Sequence, residues 1–250
     1  MSQSIEVALV TDIGRKRSSN QDYINRYSNR AGIDLIMLAD GMGGYKAGHV
    51  ASEMTVTDMG TSWSNTTISD LKDIREWLIA AIESESHKIH ELGETPDYKG
   101  MGTTLEATVI ADNQLMHAHV GDSRLYLLRG ETLEQLTVDH SLVEELVQSG
   151  QLTEEEAKNH PQKNIITRAI GQDQAPEIDI TLKSLETGDV VLICSDGLTN
   201  MLSTDDIRDI LLSDISLSEK GESLIRFANN AGGLDNITVG IIAVQEVSEL

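Results

Sequence analysis

An α+β fold is predicted for this chain of 250 residues. Three observations carry it. Apolar runs of strand length follow one another directly, stretches of helical spacing come in pairs, and no regular strand–helix–strand alternation runs along the chain. Ile5–Thr11 reads as a strand of mostly apolar residues, and Asp34–Ala39 as a short apolar run that stops at Asp40 and Gly41. Ser69 is expected to cap a long helix. Its apolar stripe is Leu71, Ile74, Leu78, Ile82, Ile89 and Leu92, with Glu85 in the one gap. Thr103–Ala111, Gln114–Val120 and Arg124–Leu128 follow as strands. They are joined by Asp112–Asn113 and by Gly121–Asp122, a spacing that predicts antiparallel hairpins. Asp189–Cys194 is a further buried strand ending at a Ser195-Asp196-Gly197 turn. Thr204–Leu212 and Leu217–Asn229 are expected helices, and Asn236–Val244 a closing strand.

His140–Gly171 differs from its surroundings. It is long and polar, is interrupted by Pro161, and contains a short acidic helix over Thr153–Lys158. It reads as a surface insertion or lid; a solvated loop without a role is the open alternative.

Composition narrows the function classes. The chain has 19 basic and 41 acidic residues, a net charge of −22. Such a chain is repelled by a nucleic-acid backbone and by an anionic membrane surface. Apolar residues make up 39%, enough for a buried core. Cys194 is the only cysteine, which excludes an internal disulfide and a cysteine-based zinc site. The first ten residues include Glu6 and lack a basic segment before an apolar one. No apolar run is long enough for a membrane span. The expectation is a cytoplasmic protein with no membrane insertion and no nucleic-acid partner.

Four aspartates share a setting. Asp40 and Asp196 each end an apolar strand before a glycine, Asp122 follows Gly121, and Asp235 opens the last strand after Gly232–Gly233. Alone, each is an ordinary cap or turn residue. Together they raise a sharper possibility, because converging carboxylates repel unless a cation lies between them, and Mg²⁺ and Mn²⁺ prefer oxygen ligands. Other chemistries fail on spacing. The glycines of 41–46 complete neither a dinucleotide loop nor a Walker loop, Cys194 lacks the arginine of a cysteine phosphatase loop, and Glu177-Ile-Asp179-Ile-Thr181 narrowly misses an aspartyl-phosphate signature. His117 and His119 alternate on a predicted strand, share a face, and read as packing residues.

Six short motifs in order then resemble the metal-dependent protein phosphatases of the 2C family, in particular the short form of Gram-positive bacteria. They are Gly14-Arg-Lys-Arg17-Ser-Ser-Asn20-Gln21-Asp22, Asp40-Gly-Met-Gly-Gly44, Gly100-Met-Gly-Thr-Thr104, Gly121-Asp-Ser-Arg124, Ser195-Asp-Gly197 and Asp235-Asn-Ile-Thr238. The resemblance implies one catalytic domain over residues 1–250, a β-sandwich of two antiparallel sheets flanked by helix pairs, with 140–171 as a flap beside the site. It implies that Asp40 bridges two Mn²⁺ or Mg²⁺ ions and that the Gly41 carbonyl binds one of them. Asp196 and Asp235 would hold the other, and Asp22 would act through a water. Asp122, with Asp196, would offer a weaker third site. Arg17 would clamp the substrate phosphate, and Asn164 and Arg168 are the flap residues expected to touch a protein substrate.

The implied reaction is hydrolysis of phosphoserine and phosphothreonine by in-line attack of a hydroxide bridging two metals. The implied partners are phosphorylated proteins, including a serine/threonine kinase of the same cell and its substrates. The sequence departs from the family at Met42 and Tyr45, where other members carry a histidine, which leaves the general acid open among water, Tyr45, His49 and a flap residue. A general acid contributes only ~10²–10⁴ in rate, so the departure is tolerable. Two alternatives stay open: a non-catalytic interaction module of the same fold stabilised by divalent metal, and a phosphatase for small metabolites.

Overall fold

The computed structural model describes residues 3–43, 47–172 and 175–246. The chain opens with β1 (Gln3–Asp12), β2 (Asp22–Ser28) and β3 (Asp34–Met42), followed by α1 (Ala47–Ser64) and α2 (Leu71–Gly93). Then come β4 (Gly102–Thr103), β5 (Leu105–Ala111), β6 (Gln114–Val120), β7 (Arg124–Arg129) and β8 (Thr132–Gln135). Two short helices, α3 (Leu142–Gln148) and α4 (Glu154–Lys158), lead to β9 (Asp179–Ser184) and β10 (Val190–Cys194). The chain closes with α5 (Asp196–Thr199), α6 (Thr204–Leu212), α7 (Leu217–Asn230) and β11 (Ile237–Glu246).

The strands form two antiparallel sheets, ordered β1-β11-β10-β7-β8 and β2-β3-β5-β6-β9, with β4 beside the end of β3. Apolar side chains decide how they stack. On β3, Ile36 and Leu38 meet Leu125, Leu127, Val191, Ile193 and Ile242 of the other sheet, and so fill the sandwich interior. Leu35, Met37 and Ala39, on its opposite face, pack with Val56, Trp63, Ile74 and Leu78 of α1 and α2. This is why β3 reads as a continuous apolar run instead of an alternating one. On the far side, Leu192, Val239 and Ile241 pack under Ile207 and Leu211 of α6 and Leu224 and Ala228 of α7. The layers are therefore helix, sheet, sheet, helix, as expected from the sequence.

Several local expectations change. The β5–β6 hairpin forms as expected, and Asp112 and Asn113 both take positive φ (50° and 59°), as a tight primed turn requires. Gly121–Asp122 does not make a hairpin: β6 and β7 lie in different sheets, so this short connection crosses the sandwich. A short polar link between two apolar runs looks the same in sequence whether it folds back or crosses. The cap of α2 is Asp70, not Ser69; its carboxylate accepts the Lys72 N–H at 2.8 Å. Glu85 in the α2 stripe is buried and paired with Lys88 at 2.7 Å. Helix α1 gives only a faint apolar stripe because its buried face mixes Val56, Met59 and Trp63 with small and hydroxyl residues, including Ala47, Gly48, Ser52, Thr55 and Gly60.

Segment 140–171 is more firmly attached than its polarity implies. Helix α3 lies inside it, Ser141 bridges to Ile166, and Thr103 bridges to Ile170, whose side chain joins the α1/α2 core. Only the stretch between these ties is largely exposed.

Leu78, fully buried on α2, tests the packing. Leu78→Ala is expected to cost roughly 2–5 kcal/mol in urea unfolding with an unchanged slope. Asp70→Ala is expected to cost about 1 kcal/mol, and Ser69→Ala close to nothing. The reverse order for the two cap variants would overturn the cap assignment.

Candidate active site

The site forms where strand ends of both sheets meet. Asp22 and Asp40 lie directly opposite each other on β2 and β3. Asp122 follows β6, Asp196 follows β10, and Asp235 precedes β11. These five carboxylates act on one another. Burial, and then Asp22, Asp196, Asp122 and Asp235, hold the Asp40 carboxyl well above the ordinary carboxylate range. Burial, reinforced by the charges of Asp196 and Asp235, pushes Asp22 up to about 6 against donors that pull it down. Burial with the charge of Asp235 pushes Asp196 up to about 6 as well. Burial with Asp196 and Asp139 pushes Asp122 up to about 8.

Little in the protein offsets this concentration of negative charge. Arg17 places Nη2 2.6 Å from Asp235 Oδ2. Arg124 is engaged by Asp139 through a fork of contacts at 2.7–3.1 Å. Asp22 Oδ1 and Asp196 Oδ1 are buried and meet no protein donor. Hard oxygen donors that converge, repel and lack partners fit Mg²⁺ or Mn²⁺ well and fit no neutral ligand.

The supporting shell fixes each carboxylate by its backbone or its second oxygen. Ser195 Oγ donates to Asp22 Oδ2 at 2.8 Å and accepts the Thr238 N–H at 3.0 Å, which ties β10, β2 and β11 together. Thr104 Oγ1 accepts the Asp40 N–H at 2.9 Å, and Thr103 Oγ1 donates to the Asp40 carbonyl at 2.8 Å. Asn200 Nδ2 donates to Asp196 Oδ2 at 2.9 Å. Asn236 accepts the Gln21 N–H and donates to the Ile13 and Ser19 carbonyls, so it pins the loop that carries Arg17. Two glycines are needed for close approach: a Cβ on Gly41 would lie 2.0 Å from the Gly48 carbonyl oxygen, and one on Gly197 would lie 1.8 Å from that of Asn236. Side chains at either position would push the aspartate next to it out of place.

Asp22, Asp40, Gly41, Asp122, Asp196, Asp235 and Arg17, singled out by sequence, are thus brought to one place. The two flap residues separate. Asn164 lines a groove of about 710 Å³ together with Asp122, Asp196, Asn200 and Lys163. Arg168 does not line it; it sits at the base of the segment, 3.0 Å from Glu177 and 3.3 Å from Asp179. The expected turn at Ser195-Asp196-Gly197 is the start of α5. His49, on the first turn of α1, pairs with Glu53 at 3.4 Å. Tyr45, the other named candidate for general acid, and Gly44 lie outside the described residues. Ser195, Thr104, Asn200 and Asn236 carry the supporting contacts, yet only their place inside or beside the motifs hinted at them. His117 and His119 are fully buried on the sandwich-facing side of β6 and meet Glu106 of β5, a role that simple packing did not suggest.

The sequence profile of the protein phosphatase 2C family matches residues 13–233. Protein phosphatase PhpP of Streptococcus pneumoniae is 57% identical over 242 residues, 97% of this chain and 98% of that one. The serine/threonine phosphatase of S. agalactiae superposes with a TM-score of 0.95 at 55% identity, covering 97% of this chain and 100% of that one. The catalytic domain of the serine/threonine phosphatase PstP in complex with two manganese ions superposes with a TM-score of 0.85 at 34% identity, covering 98% and 100%.

The carboxylate cluster sets how metal-free stability changes with pH. Asp22, Asp196 and Asp122 bind a proton more tightly folded than unfolded, where their ordinary value is 3.8. Their contribution is therefore complete below about pH 4. It is lost as pH rises through about 6 for Asp22 and Asp196, and through about 8 for Asp122. In chelator, Asp122→Asn is expected to raise Tm relative to wild type at pH 8.5 and much less at pH 5, as read by calorimetry. Equal Tm shifts at the two pH values would show that Asp122 does not carry that charge strain.

Proposed function

Because this chain belongs to the protein phosphatase 2C family, we infer that it is a metal-dependent protein serine/threonine phosphatase. The observation that carries the reading is the set of five mutually repelling carboxylates, two with unpartnered buried oxygens, of which Asp122 and Asp196 line the groove of about 710 Å³. Asp40 would bridge two ions, with the Gly41 carbonyl on one and Asp196 and Asp235 on the other. Asp22 would act through a water, and Asp122 with Asp196 would hold a weaker third ion. Mn²⁺ or Mg²⁺ bound there would supply acidified water and Lewis-acid stabilisation of the phosphoryl charge.

The protein's own groups do the rest. Arg17 is half exposed, and only one arm of its guanidinium is held, by Asp235. Its remaining donors can take a phosphate dianion, and an ion that claims Asp235 would free the whole fork. Among the described residues, neither the cysteine nor the serine beside the carboxylates is placed to form a phosphoenzyme. Cys194 is fully buried, and that burial pushes its thiol well above the ordinary range. The Ser195 hydroxyl is committed to Asp22 and to Thr238. These two commitments support the reading of direct in-line displacement by water.

Segment 140–171 acts as a flap for protein substrates. Lys163 reaches Asn200 at 3.4 Å, and Asn200 in turn holds Asp196, so the groove wall and the carboxylates share a contact. Phosphoproteins, including a cognate kinase and its targets, are the substrates this arrangement suits. None of the described helices is long and apolar enough to cross a membrane.

A panel of phosphopeptides, sugar phosphates and nucleotides, assayed with Mn²⁺ and after EDTA, tests the reading. Mn²⁺-dependent turnover of phosphoserine and phosphothreonine peptides above the other classes is expected; undiminished turnover after complete chelation would overturn it. Arg17→Ala should raise KM roughly tenfold to a hundredfold, the equivalent of ~1.5–3 kcal/mol for a charged hydrogen bond, with a smaller effect on kcat. Asn164→Ala should lower kcat/KM for phosphopeptides several-fold more than for p-nitrophenyl phosphate. Equal losses on both substrates would remove the flap from substrate selection.

A further inference from the structure

His140, the first residue of the flap segment, carries more contacts than a loop residue needs. It is 5% exposed. Its backbone N–H donates to the Gly121 carbonyl at 2.7 Å, and its ring Nδ1 accepts the Gly121 N–H at 3.1 Å. One histidine thus closes both polar groups of the residue directly before Asp122. Its carbonyl accepts the Thr167 N–H at 2.8 Å, where the segment returns to the body. Its Nε2 lies 3.2 Å from Asp179 Oδ2 on β9 and equally close to Nη1 of Arg168, which itself donates to Asp179 Oδ1 at 3.3 Å.

The proton placement follows from the partners. Gly121 offers a donor, so Nδ1 must be bare, and the ring proton sits on Nε2 facing Asp179. That ring is neutral, and its surroundings keep it so. Burial, the neighbouring His119 and Arg168 all lower its affinity for a second proton. The His119 ring lies 4.5 Å away, centroid to centroid. His119 Nε2 donates to the Val138 carbonyl at 3.0 Å, while its Nδ1 meets Glu106. The second Glu106 oxygen lies 2.5 Å from His117 Nε2, and His117 Nδ1 lies 2.8 Å from Thr108 Oγ1. Glu106, His117 and His119 have metal-ligand chemistry, but each of their facing atoms is already bonded to another of the three. They make a closed, buried network that supports the His140 ring from inside the sandwich.

The other flank of Asp122 is fixed independently. Ser123 Oγ lies 3.0 Å from Thr104 Oγ1, the same hydroxyl that accepts the Asp40 N–H. Asp122 is therefore suspended between a contact to the Asp40 strand and a contact to the flap root.

We propose that His140 is a positioning residue: it locks the strand end that carries Asp122 to the root of the 140–171 flap, so that the carboxylate and the flap move as one unit. The functional consequence rests on the phosphatase reading; the mechanical lock does not, and the test separates them. Three variants divide the contacts. His140→Ala removes all side-chain contacts. In His140→Asn, Oδ1 takes the place of Nδ1 and can still accept from Gly121. In His140→Gln, the amide reaches toward Asp179 and leaves the Gly121 N–H without its side-chain acceptor. Amide exchange is measured on the full chain in chelator, over peptides covering residues 119–123. Loss of the Gly121 contact is expected to speed exchange there roughly three- to tenfold, as one hydrogen bond allows. The Asn variant should restore wild-type protection and the Gln variant should not.

In parallel, the Mn²⁺ concentration for half-maximal hydrolysis of p-nitrophenyl phosphate should rise several-fold in the Gln and Ala variants and recover in the Asn variant. Phosphopeptide KM should rise more than kcat falls. Equal exchange in the Asn and Gln variants, or wild-type exchange in both, overturns the lock even if the Ala variant does not fold. The expected exchange pattern with unchanged Mn²⁺ dependence would overturn the functional role alone. Absence of phosphatase activity in wild type would overturn the phosphatase reading and leave the exchange result standing.

Discussion

Mutual repulsion among Asp22, Asp40, Asp122, Asp196 and Asp235 is the constraint around which the rest of this structure is arranged. Buried carboxylates that face one another favour protonation or separation, and Asp22, Asp40, Asp122 and Asp196 oppose folding at neutral pH unless cations compensate. The fold withstands this by placing each one at the end of an anchored strand. Asp40 terminates β3, whose two faces fill two different cores. Asp196 follows β10, which is hydrogen-bonded on both sides to β7 and β11. The strain is thus borne by elements that cannot retreat without opening a core.

The shell around the carboxylates consists mostly of hydroxyls and amides, which is consistent with that task. Ser195, Thr103 and Thr104 satisfy a backbone group or one carboxylate oxygen and leave another oxygen facing inward. A basic shell would neutralise the acids and compete with a cation. Arg124 shows how that competition is avoided: Asp139 engages its guanidinium, although Arg124 lies two residues from Asp122. Arg17 is the exception, a half-exposed guanidinium that meets Asp235 at 2.6 Å.

The flap joins this site through two routes of different character. At its outer end, Lys163 and Asn164 face the groove beside Asn200. At its root, His140 is bonded to Gly121, and Ile170 is buried in the α1/α2 core. The segment is polar where it meets solvent and, at its C-terminal root, apolar where it joins the body. Its polar sequence concealed the second property, because only Ala169 and Ile170 near its end carry it.

The amino-acid sequence by itself determined the fold class and singled out the aspartates of the candidate site. Apolar runs of strand length and the paired helical stripes follow from side-chain burial alone, and the strand-end aspartates stand out because that residue type is unfavourable there. Local signals of this kind are complete within a few residues. Three things were decided only in the tertiary structure. Gly121–Asp122 crosses between sheets because, besides their neighbours β5 and β8, β6 and β7 pair with β9 and β10 in different sheets, partners that lie far away in sequence. Helix α1 packs against β2 and β3 through a face that is helical in spacing but mostly small or hydroxyl in residue type, so its fit shows only against those strands. Glu106, His117, His119 and His140 become a network because sheet register and the return of the flap bring them together. Each is unremarkable in the chain, since a buried polar group acquires meaning only from partners supplied by other elements.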